Sequence, residues 1–151
     1  LKRCLPQCIQ HHFNWLAAHL PHYQLHRQRC AARDPLDLYQ KFAKARTIHG
    51  TKYMHILCPC GPGWGFDPAD SIGMGKLAVK TGVFNLFEIE DGAVHFNGPS
   101  KREPSYDVEA YLKPQKRFRQ FSEEQIEAMR QWAKDYRRRL EALSQASASR
   151  A

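Results

Sequence analysis

Apolar side chains along this chain settle into regular spacings only from Asp34 onward. Asp34 suits an N-cap and Pro35 a first helical position. Leu36, Tyr39, Phe42, Ala43 and Arg46 follow at helical spacing, and Gly50 can close that helix in the left-handed conformation. The next run, Tyr53 to Cys58, is short and almost continuously apolar, which predicts a strand buried on both faces, as in a parallel sheet. Helix followed by buried strand is half of an α/β repeat.

The segment Pro59 to Phe66 is too rich in Gly and Pro for either regular element. A helix is expected from about Asp70 to Thr81, with Ile72, Leu77 and Ala78 inward and Gly82 as its stop. Phe84 to Ile89 and Ala93 to Asn97, joined through Asp91-Gly92, read as a β-hairpin. Residues 98–120, with Pro99, Pro104 and Pro114, read as an extended arm. The last helix carries the fullest set of signals. Ser122 is its N-cap, Gln125 completes a capping box, and Phe121 with Ile126 forms a hydrophobic staple. Ile126, Met129, Ala133, Tyr136, Leu140 and Leu143 then form one apolar stripe.

Composition divides the chain. Residues 1–34 contain no Gly, Glu, Val, Ser, Thr or Met, yet hold five of the eight His and three of the five Cys. An α/β segment normally needs turn glycines and β-branched residues. Two readings stand: a short helix around Phe13 to His19 with a Cys/His metal-binding tract, or sequence foreign to the ancestral protein. The expected organisation is thus 1–33 as an atypical segment, non-native or disordered, 34–143 as the α/β domain, and 144–151 as a frayed Ser/Ala-rich tail.

The net charge of +8 raises nucleic acid as a partner, but half of the excess lies within residues 1–34. The later basic runs, Lys113 to Arg119 and Arg137-Arg138-Arg139, fit a solvated face or a docking patch. An odd cysteine count of five without secretory features argues against a disulfide framework and for reduced thiols or metal ligands. No apolar run approaches the ~20 residues of a membrane span, so the expected location is cytoplasmic.

Candidate chemistry concentrates in His55 to Phe66. A strand that delivers Cys60 to a Gly/Pro loop sets a thiol at the carboxyl edge of a sheet, where open α/β folds build their sites. Glycines on both sides let backbone approach a bulky inorganic group, and loop amides can hydrogen-bond cluster sulfurs. No Cys-x-x-Cys pair accompanies it. On spacing alone, Cys58 can equally be a buried, apolar-like thiol and Cys60 a plain loop residue. Trp64 reads as a water shield for a cluster or as a core anchor, and His55 as a core histidine.

Several motifs in series carry a resemblance. Asp34-Pro35-Leu36-Asp37-Leu38-Tyr39, His55 to Phe66, Leu77-Ala78-Val79-Lys80-Thr81-Gly82 and Phe87-Glu88-Ile89-Glu90-Asp91-Gly92 occur in that order. Pro99-Ser100-Lys101-Arg102 follows, then Val108 to Leu112 with Gln115, Arg117 and Phe118. The series resembles the C-terminal part of the β subunit of pyruvate:ferredoxin oxidoreductase and related 2-oxoacid oxidoreductases, over roughly residues 34–140. The family's cysteine segment has the form HxLxPCPxGW.

That resemblance implies the C-terminal part of a thiamine-diphosphate-binding, doubly wound α/β fold with a hairpin, an arm and a C-terminal helix. It implies oxidative decarboxylation of a 2-oxoacid to acyl-coenzyme A, with electrons passed through a [4Fe-4S] cluster to ferredoxin. Thiamine diphosphate, Mg2+ and the cluster are the implied cofactors. An α subunit, ferredoxin, coenzyme A and the 2-oxoacid are the implied partners and substrates. Cys60 matches the cluster cysteine that is distant in sequence from the other three, while Cys58 matches no ligand and reads as a core thiol. Gly61 stands where the family usually has Pro. The other cluster cysteines and the Gly-Asp-Gly element for magnesium and diphosphate are absent from this sequence, and Cys4 and Cys8 do not match them. A truncated subunit, or an altered reading-frame start, is therefore expected, with the fragment alone inactive. A basic nucleic-acid- or protein-binding module, and a small zinc protein using Cys4, Cys8, Cys58 and Cys60, are the competing readings.

Overall fold

A computed structural model describes residues 26–31, 35–90 and 93–148. The expected N-terminal helix, the Cys4/Cys8 tract, the Asp34 cap and the Asp91-Gly92 turn lie outside the described residues.

Strand β1 (His26–Ala31), helix α1 (Pro35–Thr47) and strand β2 (Lys52–Leu57) come first. A single helical turn α2 (Gly61–Trp64), a 3-10 turn at Pro68–Asp70 and helix α3 (Ser71–Lys80) follow. The hairpin is β3 (Phe87–Glu90) and β4 (Ala93–Phe96), and α4 (Val108–Leu112) and α5 (Glu123–Ala148) complete the order. One four-stranded sheet runs β2-β1-β3-β4. β1 pairs parallel with β2 from His26↔Lys52 to Ala31↔Leu57, and antiparallel with β3 through Arg27↔Ile89 and Arg29↔Phe87. The architecture is a mixed α/β arrangement built on a small sheet. The α/β expectation is met at that level.

The sequence reading starts the domain at 34, whereas β1 precedes it and takes an inner place in the sheet. Its HRQRCA sequence has no β-branched residue and no apolar alternation. Backbone pairing to a strand on either side makes it a strand.

Strand β3 shows how the layers are set. Successive side chains of a strand point to opposite faces. Phe87 and Ile89 pack with Val94, Phe96, Tyr136 and Leu140 beneath α5. Glu88 and Glu90 instead point to the α1 side, where Lys44 Nζ lies 2.8 and 2.7 Å from their carboxylates. α1 therefore turns a polar face to the sheet: Lys41, 1% exposed, bonds Asp37 at 2.8 Å. The expected apolar face is turned outward, with Leu36, Tyr39 and Phe42 at 64, 71 and 46% exposure. β2 is likewise an edge strand with Tyr53 and Ile56 exposed, not one buried on both faces.

The main core lies beyond the sheet. Phe66, Met74, Ala78, Phe84, Leu86 and Val108 are buried there together with α4 and the first half of α5. α3 runs where expected and ends before Gly82 at φ 78°, but buries Met74, Gly75, Ala78 and Val79, leaving Ile72 exposed. Residues 98–120 are not extended. Two 3-10 turns and α4 fold this stretch, and Val108, Tyr111, Leu112, Gln115 and Phe118 enter the interior. The Asp107 carboxylate accepts from the Ala110 N–H at 3.3 Å to start α4.

α5 begins with the expected capping box: the Ser122 N–H donates to Gln125 Oε1 at 2.9 Å, and the Gln125 N–H to Ser122 Oγ at 3.4 Å. Ile126, Ala133 and Leu140 of its stripe are buried. The helix passes the expected frayed point, since Ser144 Oγ donates to the Val94 carbonyl at 2.8 Å and helix continues to Ala148. No helix among the described residues is long and apolar enough to cross a membrane.

Candidate functional site

Cys60 stands three residues past the end of β2, at the N-cap of the α2 turn. Parallel pairing with β1 fixes the direction in which β2 delivers it. The Cys60 backbone is extended (φ −112°, ψ 102°), and its carbonyl accepts from the Trp64 N–H at 2.9 Å. Its side chain makes no capping bond, so backbone alone holds the turn and the thiol is left for other contacts. Gly65 closes the turn at φ 75°, with its N–H donating to the Gly61 carbonyl at 2.8 Å.

Three glycines shape the loop for three different reasons. A Cβ on Gly63 would lie 3.2 Å from Cys60 Sγ, so the missing side chain leaves space beside the sulfur. A Cβ on Gly61 would lie 2.9 Å from Pro68 Cα and 3.1 Å from the Phe66 carbonyl oxygen, both of them backbone. The segment that turns back over Gly61 thus leaves little room for a side chain there. Gly65 combines its left-handed backbone with contact against Lys116, whose Cβ would be 2.6 Å from an added Cβ.

The loop is backed by the 115–118 turn. The Lys116 N–H donates to the Gly65 carbonyl at 3.2 Å. The Arg117 guanidinium carbon sits 3.8 Å from the Trp64 ring centroid and 4.5 Å from that of Phe118. Arg117 Nε donates to Gln115 Oε1 at 2.8 Å, and Gln115 Nε2 to the Tyr111 carbonyl at 2.6 Å. Burial lowers the Arg117 pKa against the pull of Tyr111. Burial likewise raises that of Tyr111, opposed by Arg117 and Gln115. Trp64 is half-buried against the main core under this cation, an anchoring position. His55 is half-buried and meets the Phe84 ring edge-on, with centroids 5.4 Å apart.

Both Cys58 and Cys60 are free and exposed. Among the described residues Cys58 is therefore exposed just past edge strand β2 and is not a core thiol. A [4Fe-4S] cluster takes four thiolates. Among the described residues no group of three or more His, Cys, Asp or Glu side chains could hold a metal ion. Cys60 can serve as one donor, and the residues around it do not complete a cluster site.

Sequence reasoning singled out Cys60 but not the Arg117–Trp64 stack. The stack brings together residues 64 and 117, and no local sequence pattern marks it.

No family model matches the chain. Curated proteins do. Pyruvate synthase subunit PorB of Methanothermobacter marburgensis is 49% identical over 92 residues, which is 60% of this chain and 31% of that protein. PorB of Methanocaldococcus jannaschii is 43% identical over 99 residues, 65% and 32% of the two chains. Ketoisovalerate oxidoreductase subunit VorB of Pyrococcus horikoshii is 34% identical over 111 residues, 74% and 36%. The chain thus spans about a third of the length of these relatives. Identity at this level over most of the chain agrees with the motif series, and the chain is homologous to part of a 2-oxoacid:ferredoxin oxidoreductase β subunit.

Proposed function

We propose that this polypeptide works as part of an assembled 2-oxoacid oxidoreductase, in which Cys60 supplies one thiolate to a [4Fe-4S] cluster. The complete enzyme converts a 2-oxoacid to acyl-coenzyme A and carbon dioxide and passes electrons to ferredoxin, with thiamine diphosphate and Mg2+ held by other parts of the subunit. The described unit then forms the C-terminal part of a doubly wound, thiamine-diphosphate-binding fold. The remaining cluster donors and the α subunit come from the rest of a cytoplasmic assembly. Pyruvate and ketoisovalerate are the 2-oxoacids in the names of the relatives.

The observation that carries this reading is the exposed Cys60 thiol at the carboxyl end of β2, with backbone-only closure of its turn and Gly63 keeping space beside the sulfur. Trp64, pinned between Arg117 and the core, holds the turn against the body of the protein. The thiol therefore does not have to be ordered when a metal group is bound. The test is Cys60→Ser in the assembled oxidoreductase. Iron per complex should fall and ferredoxin reduction should be lost, whereas Cys58→Ser leaves both intact. Unchanged iron and electron delivery in Cys60→Ser would remove Cys60 from the site.

A further inference from the structure

A second concave surface lies away from the Cys60 loop, and none of its lining residues belongs to that loop. It is a cleft of about 710 Å3 between α3 and the 98–105 segment. That volume falls within the range of small-molecule sites, roughly 300–1,000 Å3. Leu77, Val79, Pro99 and Pro104 supply apolar wall, and Lys76, Lys80 and Arg102 supply cations.

Two features separate this cleft from an ordinary solvated basic surface. The first is its rigidity. The Ser105 N–H donates to the Lys80 carbonyl at 2.9 Å, and the Arg102 N–H to the Pro99 carbonyl at 3.2 Å. Gly82 lets Pro104 come so close that an added Cβ would lie 2.9 Å from the Pro104 Cβ. The two walls are therefore joined by the Ser105–Lys80 backbone bond and the close approach of Pro104 to Gly82.

The second is its uncompensated charge. Lys76 and Lys80 stand four residues apart on one helix, so their charges are neighbours and repel. Among the described residues no carboxylate forms an ion pair with Lys76, Lys80 or Arg102, whereas Lys41, Lys44, Lys113, Arg130, Arg137 and Arg138 all have one. The one carboxylate in the wall, Glu103, accepts from the Tyr106 hydroxyl at 2.5 Å. That bond holds Glu103 toward Tyr106, and with three cations against this one carboxylate the wall stays net positive.

We infer that this cleft binds an organic phosphate, its phosphate groups held by Lys76, Lys80 and Arg102 and its apolar portion lying on Leu77 and Pro99, with Val79 and Pro104 buried behind them. Lysines attract phosphate as point charges, and arginine can add a paired, planar contact. Three cations around one cleft suit a compact ligand with more than one negative charge. The apolar wall distinguishes such a ligand from a bare inorganic anion. The inference is independent of the role assigned to Cys60.

The test is calorimetric titration of the full 151-residue chain with adenosine diphosphate, pyrophosphate, adenosine and polyglutamate. Adenosine diphosphate is expected to bind, at least about tenfold more tightly than either pyrophosphate or adenosine, and Lys76→Gln or Arg102→Gln should each weaken it roughly tenfold. Lys52→Gln, on β2 and outside the cleft, should leave its affinity unchanged. Absence of binding by the unaltered chain overturns the inference. So does pyrophosphate binding as tightly as the nucleotide, because the apolar wall would then contribute nothing. Preference for polyglutamate would reassign the surface to an acidic protein partner. The comparison of ligands on the unaltered chain decides the matter even if a variant fails to fold.

Discussion

Gly65→Ala and Gly73→Ala make the same chemical change at two glycines 8 residues apart, and the structure assigns them opposite signs. At Gly65 the backbone is left-handed, φ 75°, where a Cβ costs roughly 1–2 kcal/mol. The new methyl would also lie 2.6 Å from Lys116 Cβ and 3.2 Å from its Cγ, and relieving such overpacking costs about 1–3 kcal/mol. Moving the 116 turn away would stretch the 3.2 Å bond from the Lys116 N–H to the Gly65 carbonyl and disturb Arg117 on Trp64. The expected loss is about 2–5 kcal/mol, a large part of a typical domain's stability of ~5–15 kcal/mol. At Gly73, an exposed position early in α3, nothing lies within 4 Å of an added Cβ. Alanine there should stabilise by a few tenths to ~1 kcal/mol, because it restricts the unfolded chain and favours helix. Urea unfolding followed by far-ultraviolet circular dichroism measures both. Equal midpoints for the two variants, or a neutral Gly65→Ala, would refute the placement of the 116 turn against the Cys60 loop.

Two further outcomes follow from the same contacts. Ser122→Ala removes the acceptor for the Gln125 N–H and should cost ~1 kcal/mol in the same urea assay, while Ser122→Asp should retain most of the stability. Burial alone would lower the Lys44 pKa, but hydrogen bonds and charge from Glu88 and Glu90 outweigh it and hold the group above 10.5. Its stabilising contribution is therefore complete below the unfolded-state value and disappears as pH rises through the higher folded-state value. Urea midpoints taken at increasing alkaline pH should fall more gently in Lys44→Gln than in the parent, and identical slopes would remove Lys44 from the account.

Element boundaries were legible in the sequence because they are written in single residues. Gly50 at φ 99° and Gly82 at φ 78° follow the helices they were expected to stop, and the Ser122/Gln125 box forms as read. The hairpin register also follows from its pattern, with Glu90 opposite Ala93 across a two-residue connection. The 98–120 stretch was misread because its three prolines suggest extension, while Asp107 and the apolar spacing Val108, Tyr111, Leu112 start a helix between them. β1 escaped notice because nothing in HRQRCA marks a strand. Cys60 stood out through the resemblance of its segment to the HxLxPCPxGW form, since its Gly/Pro surroundings alone leave it a plain loop residue, and the exposure of its thiol depends on β2 lying at the sheet edge. The Arg117–Trp64 stack joins segments 53 residues apart, and no local pattern encodes such a pair.

Among the described residues, the inversion of α1 follows from β3. Phe87 and Ile89 must face α5, where Val94, Tyr136 and Leu140 wait, and alternation then forces Glu88 and Glu90 to the other face. A helix packed on that face has to bring cations. α1 does so with Lys44, while Lys41 on the same side of the helix pairs with Asp37. Leu36, Tyr39 and Phe42 lie on the opposite side and are exposed. The rule that apolar stripes point inward assumes that the receiving surface is apolar, and a sheet face lined by carboxylates reverses it. The polar layer also bears on the site. α1 is the connection between β1 and β2, and the parallel register ending at Ala31↔Leu57 sets where β2 releases the chain toward Cys60. Lys44 ties that connecting helix to β3 through Glu88 and Glu90, so the same ion pairs brace the β1–α1–β2 unit from which the Cys60 loop leaves.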